Sequence, residues 1–301
     1  MVVAVTGANG FVGRHIANYL EEKHQKVRRI SRQETGDYSG ALKLDWLDGA
    51  NAIVHTAAIA HSGHKLSDVQ IQRIQRINSD AVVEIAQRAA GEGVERFIFI
   101  SSAHVYGRSA DGTLDEDAET LPTNIYGATK MDAENRLVAL AEETGLQLII
   151  FRPPLLYGAG VKANFRMLVK LVNTGMLLPF AALNQPRSYC YVDNLSDAIF
   201  QCLRRDDVWN DVYNIADKTP LGMADLCKQI ARSLDKIPTL IYVPKWLIKV
   251  LLTLTGRRHM IEALCKPLVL DTRSFQHTLN WQPPFTLEHG LSETAAWFKD
   301  K

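Results

Sequence analysis

Several things are scarce in this 301-residue sequence, and each scarcity narrows the reading. It has only four cysteines, Cys190, Cys202, Cys227 and Cys265, with no CxxC pair and no metal-ligand spacing among them. Neither a metal site nor a disulfide framework is expected. The thiols read as small apolar fillers in a reduced, cytoplasmic setting. Charge of one sign is also missing: 34 Lys and Arg stand against 33 Asp and Glu, a formal net charge of +1. There is no basic stripe for nucleic acid and no acidic tail to suggest disorder. Long apolar runs are absent too. The most membrane-like stretch, "WLIKVLLTLTG" at 246–256, is too short to span a bilayer and is interrupted by Lys249. It is expected to form an amphipathic helix packed on the protein, with membrane-surface contact as the alternative. The opening "MVVAVTGANG" has no positively charged region, so a signal peptide is not expected. Neither repeats nor low-complexity linkers occur.

What is present suits a large α/β protein. Hydrophobic residues make up 47% of the chain, enough for a substantial core. "VVAVTG" reads as a buried strand. "GANGFVGRHIANYLEEK" then changes to helical spacing, with Phe11, Val12, Ile16 and Leu20 as the apolar stripe. Gly7, Gly10 and Gly13 punctuate the turn between them. Glycines there permit a tight turn and close approach of a pyrophosphate to a helix N-terminus. A second strand, "KVRRIS", follows on schedule. "ALKLDW" reads as a third strand and "AIVHTAA" as a fourth with its turn. "SDVQIQRIQRINSDAVVEIAQRAAGEGV" reads as one long amphipathic helix, and Phe97–Ile100 and Leu148–Phe151 as further buried strands.

"YGATK" at 126–130 raises a different question. Its spacing puts Tyr126 and Lys130 on one face of a helix. An ammonium beside a phenol would favour phenolate and make Tyr126 a usable acid or base near neutrality. The alternative is a half-buried tyrosine beside a solvated lysine. Ser101 and Ser102 end the strand at Ile100, where ligands meet the carboxyl ends of strands in open α/β sheets.

The GxxGxxG turn together with YxxxK resembles the short-chain dehydrogenase/reductase superfamily. The TGxxGxxG form and the chain length resemble its extended branch of NAD(P)-dependent nucleotide-sugar epimerases, dehydratases and ketoreductases. "SSAHVYG" followed by "YGATK" resembles UDP-galactose/UDP-glucose 4-epimerases, and "RPPLLYGAGVKANF" with "LDTRSFQHTLNW" resembles proteins acting on UDP-N-acetyl-hexosamines, 4-ketoreductases among them. The resemblance implies a Rossmann-like, doubly wound parallel sheet with a smaller C-terminal substrate-binding part. Residues 1–155 would form the NAD(P)-binding domain. Residues 156–301 would mainly bind substrate, folded onto the first domain and able to return strands or helices to it.

By the same resemblance, Ser102 would bind the reacting sugar oxygen and Tyr126 would move the proton at C4. Lys130 would hold the nicotinamide ribose and lower the tyrosine pKa. The cofactor would lie along Gly7, Asn9, Gly10, Phe11, Val12 and Gly13, then Asp45 and Trp46, Thr56, Ala57 and Ala58, Asn78 and Pro153. Asn164 and Arg187 would grip the diphosphate of a UDP-sugar. Dehydratases of the branch carry an acidic pair where this chain has Ala103 and His104, so water elimination is not expected. His61, His64, His104, Arg257 and Arg258 are left without an assigned role. Cofactor choice turns on Ser31 and Arg32, at the end of the second strand. A hydroxyl and a guanidinium there suit a 2′-phosphate, so NADP is expected over NAD.

A reductase must exchange spent NADP for NADPH, so this expectation favours reduction of a UDP-4-keto-6-deoxy-N-acetylhexosamine for surface polysaccharide. A UDP-hexose 4-epimerase is the alternative. A non-catalytic NADP sensor is a further one, though such proteins commonly lose the Tyr or the Lys. A reductase of apolar ketones would have no use for Asn164 and Arg187. No integral membrane segment or nucleic-acid partner is expected, and a homodimer is compatible with the resemblance.

Overall fold

The computed structural model describes residues 1–60, 66–107, 112–256 and 260–300. His61, His64, Arg257 and Arg258 lie outside the described residues. The strands are β1 (Val2–Thr6), β2 (Lys26–Ile30), β3 (Ala52–His55), β4 (Arg96–Ile100), β5 (Thr113–Leu114), β6 (Gln147–Arg152), β7 (Leu155–Tyr157), β8 (Tyr189–Tyr191), β9 (Asp211–Asn214) and β10 (Val269–Leu270). Six of them form one sheet in the order β2-β1-β3-β4-β6-β9, with every pairing parallel. From β1 the chain first moves outward to β2, then returns to place β3 on the other side of β1. That reversal opens a crevice at the carboxyl ends of β1 and β3, the usual ligand position in such sheets.

The helices are α1 (Phe11–Glu22), α2 (Arg32–Thr35), α3 (Asp68–Gln75), α4 (Ala81–Gly91), α5 (Ile125–Thr144), α6 (Ala163–Asn173), α7 (Val192–Leu203), α8 (Met223–Ser233), α9 (Lys245–Leu254), α10 (Met260–Cys265), α11 (Arg273–Leu279) and α12 (Leu287–Lys299). Strand side chains alternate between two cores, as the pleat requires. Val3, Val5, Ile98 and Phe151 face α1, α7 and α11, where they meet Ile16, Leu195 and Phe275. Ala4, Ile53, Phe97 and Ile150 face the other way, onto Val82 and Ile85 of α4 and Leu137 of α5. A third core, holding Tyr157, Phe165, Tyr191 and Ile230, joins α6, α8 and α12 to the short β7–β8 pair. Residues beyond 155 thus build a separate core, yet they return α7 and β9 to the main sheet.

Two expectations are corrected. "ALKLDW" is not a strand: its end forms a single 3-10 turn, Asp45–Leu47, and β2 is the sheet edge. Trp46 and Leu47 are consecutive and bury into the same core, which an alternating strand does not allow. The Arg28 guanidinium holds this turn by donating to the carbonyls of Trp46, at 2.5 Å, and Asp48, at 2.6 Å. The long helix expected over 67–94 is interrupted by a π turn at Arg76–Asp80 that joins α3 to α4. Among the described residues no helix is long and apolar enough to cross a membrane.

Candidate active site

The turn between β1 and α1 is built by close approach of backbone to backbone. Gly7 has φ +67°, a conformation that side chains resist. A Cβ on Gly13 would lie 2.4 Å from the Gly7 carbonyl oxygen. The Gly10 N–H donates to that same oxygen at 2.7 Å. Beneath the turn, Thr56 Oγ1 donates to the Thr6 carbonyl at 2.6 Å, and Thr6 Oγ1 meets His55 Nδ1 at 3.0 Å. No side chain caps α1, and its first turn holds no carboxylate. Its leading N–H groups and positive dipole end therefore suit a pyrophosphate. Asn9 is exposed beside them. The Phe11 and Val12 side chains instead pack into the third core, so only their backbone faces this turn.

Ala57 and Ala58 continue the loop from β3. Asn78, fully buried in the π turn, fixes that loop. It accepts from the Ile59 N–H at 2.8 Å, donates to the Ile59 carbonyl at 3.1 Å, and reaches Thr129 of α5 at 3.3 Å. Trp46 is buried and donates to the Lys43 carbonyl at 2.9 Å, while Asp45 is exposed.

At the end of β2 the arrangement differs from the expected phosphate grip. Ser31 caps α2 in a reciprocal box with Glu34. Its backbone N–H and its hydroxyl both donate to Glu34 Oε2, at 2.8 and 2.5 Å. The hydroxyl is thus engaged, and a carboxylate stands beside it. Hydrogen bonding to Ser31 lowers the Glu34 pKa, so the carboxylate is ionised near neutrality. Arg32 is exposed. The sequence "SRQE" carries the S-x-x-E spacing of such a capping box.

The remaining candidates converge at the carboxyl end of β4. Asn124 caps α5 by accepting from the Gly127 N–H at 2.9 Å, which sets Tyr126 and Lys130 one turn apart in its first turns. Ser102 lies close enough to Tyr126 to favour its ionised form. The Ser102 hydroxyl also meets His104 Nδ1 at 2.9 Å, and the His104 ring stands edge-on to Tyr126, with centroids 5.6 Å apart. His104 thus belongs with Ser102 and Tyr126, a partnership the sequence did not reveal. Pro153 supports the group from β6, its carbonyl accepting the Ala103 N–H at 2.9 Å. Lys130 is buried beneath. Its ammonium donates to the Ile100 carbonyl at 2.8 Å and lies 4.3 Å from the Phe99 ring centroid.

The expected lowering of the phenol pKa by Lys130 is not what these surroundings produce. Part of the Tyr126 ring is exposed, yet burial dominates and pushes its hydroxyl up to about 12, against a smaller downward pull from Ser102. Burial also brings the Lys130 ammonium down to about 7, partly offset by Glu134. The lysine charge is itself weakened near neutrality, so it has little power to lower its neighbour. His104 is exposed at the site, but desolvation of its ring, and then the charge of Arg187, lower its pKa.

Arg187, from the second half of the chain, lies near enough for its charge to act on His104. Its backbone bridges Leu221 and Leu268, and its guanidinium donates to the Lys266 carbonyl at 2.7 Å. Asn164 is exposed in the first turn of α6. The loop before it is tied to α1, since His15 hydrogen-bonds the Ala159 carbonyl at 2.6 Å and Asp193 at 2.7 Å. A cavity of about 620 Å³ lined by Ser188, Asp217, Asp271 and Arg273 contains none of the glycine-turn or Ser–Tyr–Lys residues. Its Asp217 carboxylate is committed to Tyr157, Tyr191 and Asn194.

Comparison with known proteins bears on the family and the fold. Residues 3–216 match the model of the NAD dependent epimerase/dehydratase family. A UDP-glucose 4-epimerase of Vibrio cholerae is 33% identical, over 98% of this chain and 95% of its own. The N-acetyl-alpha-D-glucosaminyl-diphospho-ditrans,octacis-undecaprenol 4-epimerase of Escherichia coli O157:H7 is 24% identical over 97% of this chain and 93% of its own. The structure of MoeE5 in complex with UDP-glucuronic acid and NAD superposes with a TM-score of 0.81 at 24% identity, covering 100% of this chain and 99% of that one.

Proposed function

The chain belongs to the NAD dependent epimerase/dehydratase family, and from that premise we propose that it is a nucleotide-sugar 4-epimerase acting on a UDP-hexose or its N-acetyl form. The observation that carries this reading is the cluster of Ser102, its hydrogen-bonded His104 and the Tyr126 ring edge-on to that histidine, with Lys130 buried beneath it. Inverting a carbinol carbon through a ketone requires removal and return of a hydroxyl proton. A dinucleotide held there would supply the reversible hydride chemistry. The protein must hold the sugar and manage the proton.

Tyr126 must be phenolate to take the proton from the C4 hydroxyl and then returns it as phenol; the positive charge of an oxidised nicotinamide held beside it would favour that phenolate where the site alone does not. Ser102 hydrogen-bonds both the sugar oxygen and the phenol, which keeps the tyrosine hydroxyl aimed. His104 completes that chain through its Nδ1 contact with Ser102. The glycine turn and the N-terminus of α1 would hold the pyrophosphate, and Lys130 the nicotinamide ribose. Arg187 and Asn164 would hold the substrate diphosphate, a handle common to the substrates in both relatives' names. With Ala103 and His104 where a dehydratase needs carboxylic acids, elimination of water has no acid in place.

A second reading, reduction of a UDP-4-keto-6-deoxy-N-acetylhexosamine with NADPH, is favoured by Arg32 at the end of β2. The Glu34 carboxylate beside Ser31 works against it by repelling a 2′-phosphate. One experiment separates the two. Purified protein is given UDP-glucose, UDP-galactose and their N-acetyl forms with no added nucleotide, and separately a UDP-4-keto sugar with NADPH. C4 interconversion in the first mixture supports the epimerase. NADPH consumption in the second, with no interconversion in the first, replaces it by the reductase. Silence in both removes the proposal.

A further inference from the structure

The second half of the chain carries an exposed apolar face that the site chemistry does not use. Helix α9 buries only Ile248, which packs on Leu183 and Cys265. Trp246, Val250 and Leu254 are spaced four apart on the opposite side and point to solvent, with Trp246 66% and Leu254 78% exposed. The extended run before the helix adds Tyr242, 74% exposed, and Ile237, 90% exposed. Backbone hydrogen bonds from Leu178 to Thr239 and from Ile241 to Leu178 place the exposed Met176 beside that run. The helix thus has one small buried contact, a Lys245–Lys249–Thr253 stripe and a broad apolar face left in solvent.

Charge selects the occupant. Residues 236–256 contain Lys236, Lys245 and Lys249 and no Asp or Glu. Lysine at the edge of an apolar helix face, with Trp and Tyr among the apolar residues, is the composition that lies in a lipid headgroup layer. The aromatic bodies enter the apolar zone, and the ammonium groups reach the phosphates. A second copy seated by a two-fold axis would bring three more lysines to the same interface, where residues 236–256 supply no carboxylate to offset them.

We infer that α9 and the run before it dock the protein on the surface of a bilayer containing anionic phospholipid. The docking face is coupled to the candidate site. The Lys245 ammonium donates to the Gln185 side chain at 2.7 Å, two residues from Arg187. Chain leaving α9 passes through α10 to Lys266, whose carbonyl holds the Arg187 guanidinium. Docking therefore brings the diphosphate-gripping crossing toward the lipid.

The test is co-sedimentation of the full chain with vesicles of phosphatidylethanolamine and phosphatidylglycerol, beside vesicles of phosphatidylcholine alone. Binding to the anionic vesicles that weakens with salt is expected. The double variant Trp246→Ser/Leu254→Ser should lower the partition coefficient about tenfold or more. Lys249→Glu should weaken it further in anionic than in neutral vesicles. Both variants should keep the wild-type melting temperature and turnover of soluble substrate. The inference is overturned if wild type stays in the supernatant, or if the folded double variant sediments as wild type does. It is equally overturned if sedimentation velocity without lipid shows a dimer that the double variant dissolves, since a second copy would then cover the face.

Discussion

A buried lysine and a half-buried tyrosine one helical turn apart make the chemistry of this site a matter of solvation. Lys130 is charged at little cost in the unfolded chain and at a considerable one in the fold, where its pKa drops to about 7. The unfolded chain thus binds more protons between about pH 7 and 10.5, and stability rises with pH through that window. Lys130→Met removes the titration. Urea unfolding of the two proteins should show the variant most favoured relative to wild type at pH 6, by an amount on the order of a few kcal/mol, with the difference shrinking by pH 10. A pH-independent difference would mean that Lys130 is not desolvated as described. Tyr126→Phe removes only a hydroxyl, so fold and dinucleotide binding should persist while turnover falls by about two to four orders of magnitude. Stopped assays of C4 interconversion decide this, and a wild-type rate in the variant would make Tyr126 a bystander. At this scale the sequence was informative where spacing alone sets proximity, as in YxxxK. It was silent on His104, because a two-residue step out of β4 into a 3-10 turn is what brings its ring to Ser102.

Among the elements, the glycine turn was readable because its constraint is local: strand, tight turn and helix follow one another in sequence. The same tightness predicts that Gly13→Ala, whose Cβ would strike the Gly7 carbonyl, should destabilise the protein by about 1–3 kcal/mol, seen as a lower urea midpoint at unchanged slope. The π turn had no such signature. Its residues fit a regular helix, and only the hydrogen bonds of Asn78 to Ile59 and Thr129 reveal why the extra residue is accommodated. Asn78→Ala leaves those partners unsatisfied, at about 1–3 kcal/mol. Amide exchange at Ile59 should accelerate markedly, while an unchanged rate would show the loop to be held by something else. "ALKLDW" misled because β-propensity cannot tell whether a neighbouring strand edge is open, and Arg28 closes this one over the turn.

For the whole molecule, the site depends on chain segments far apart. The first half carries Ser102, Tyr126 and Lys130, and Arg187 approaches only through the crossing held by Leu221, Leu268 and Lys266. Arg187→Ala should weaken UDP binding by roughly 1.5–3 kcal/mol in calorimetry and leave dinucleotide affinity near wild type. Unchanged UDP affinity would put the diphosphate elsewhere. The broad α/β layout was legible because β1, β3, β4 and β6, four of the six main-sheet strands, stand out as short runs rich in apolar residues. Which later segment returns to the sheet was not, since "DVYN" is short and only its parallel pairing with β6 defines it.

That returning strand governs the order in which the molecule can be made. The edge of β6 is closed by residues 211–214, more than sixty positions after it. A nascent chain of about 200 residues already contains the serine, tyrosine and lysine, but it presents β6 as an open edge ready to pair with a neighbouring polypeptide. Parallel pairings across such separations form late, so synthesis passes through an interval of exposure that a chaperone is suited to cover.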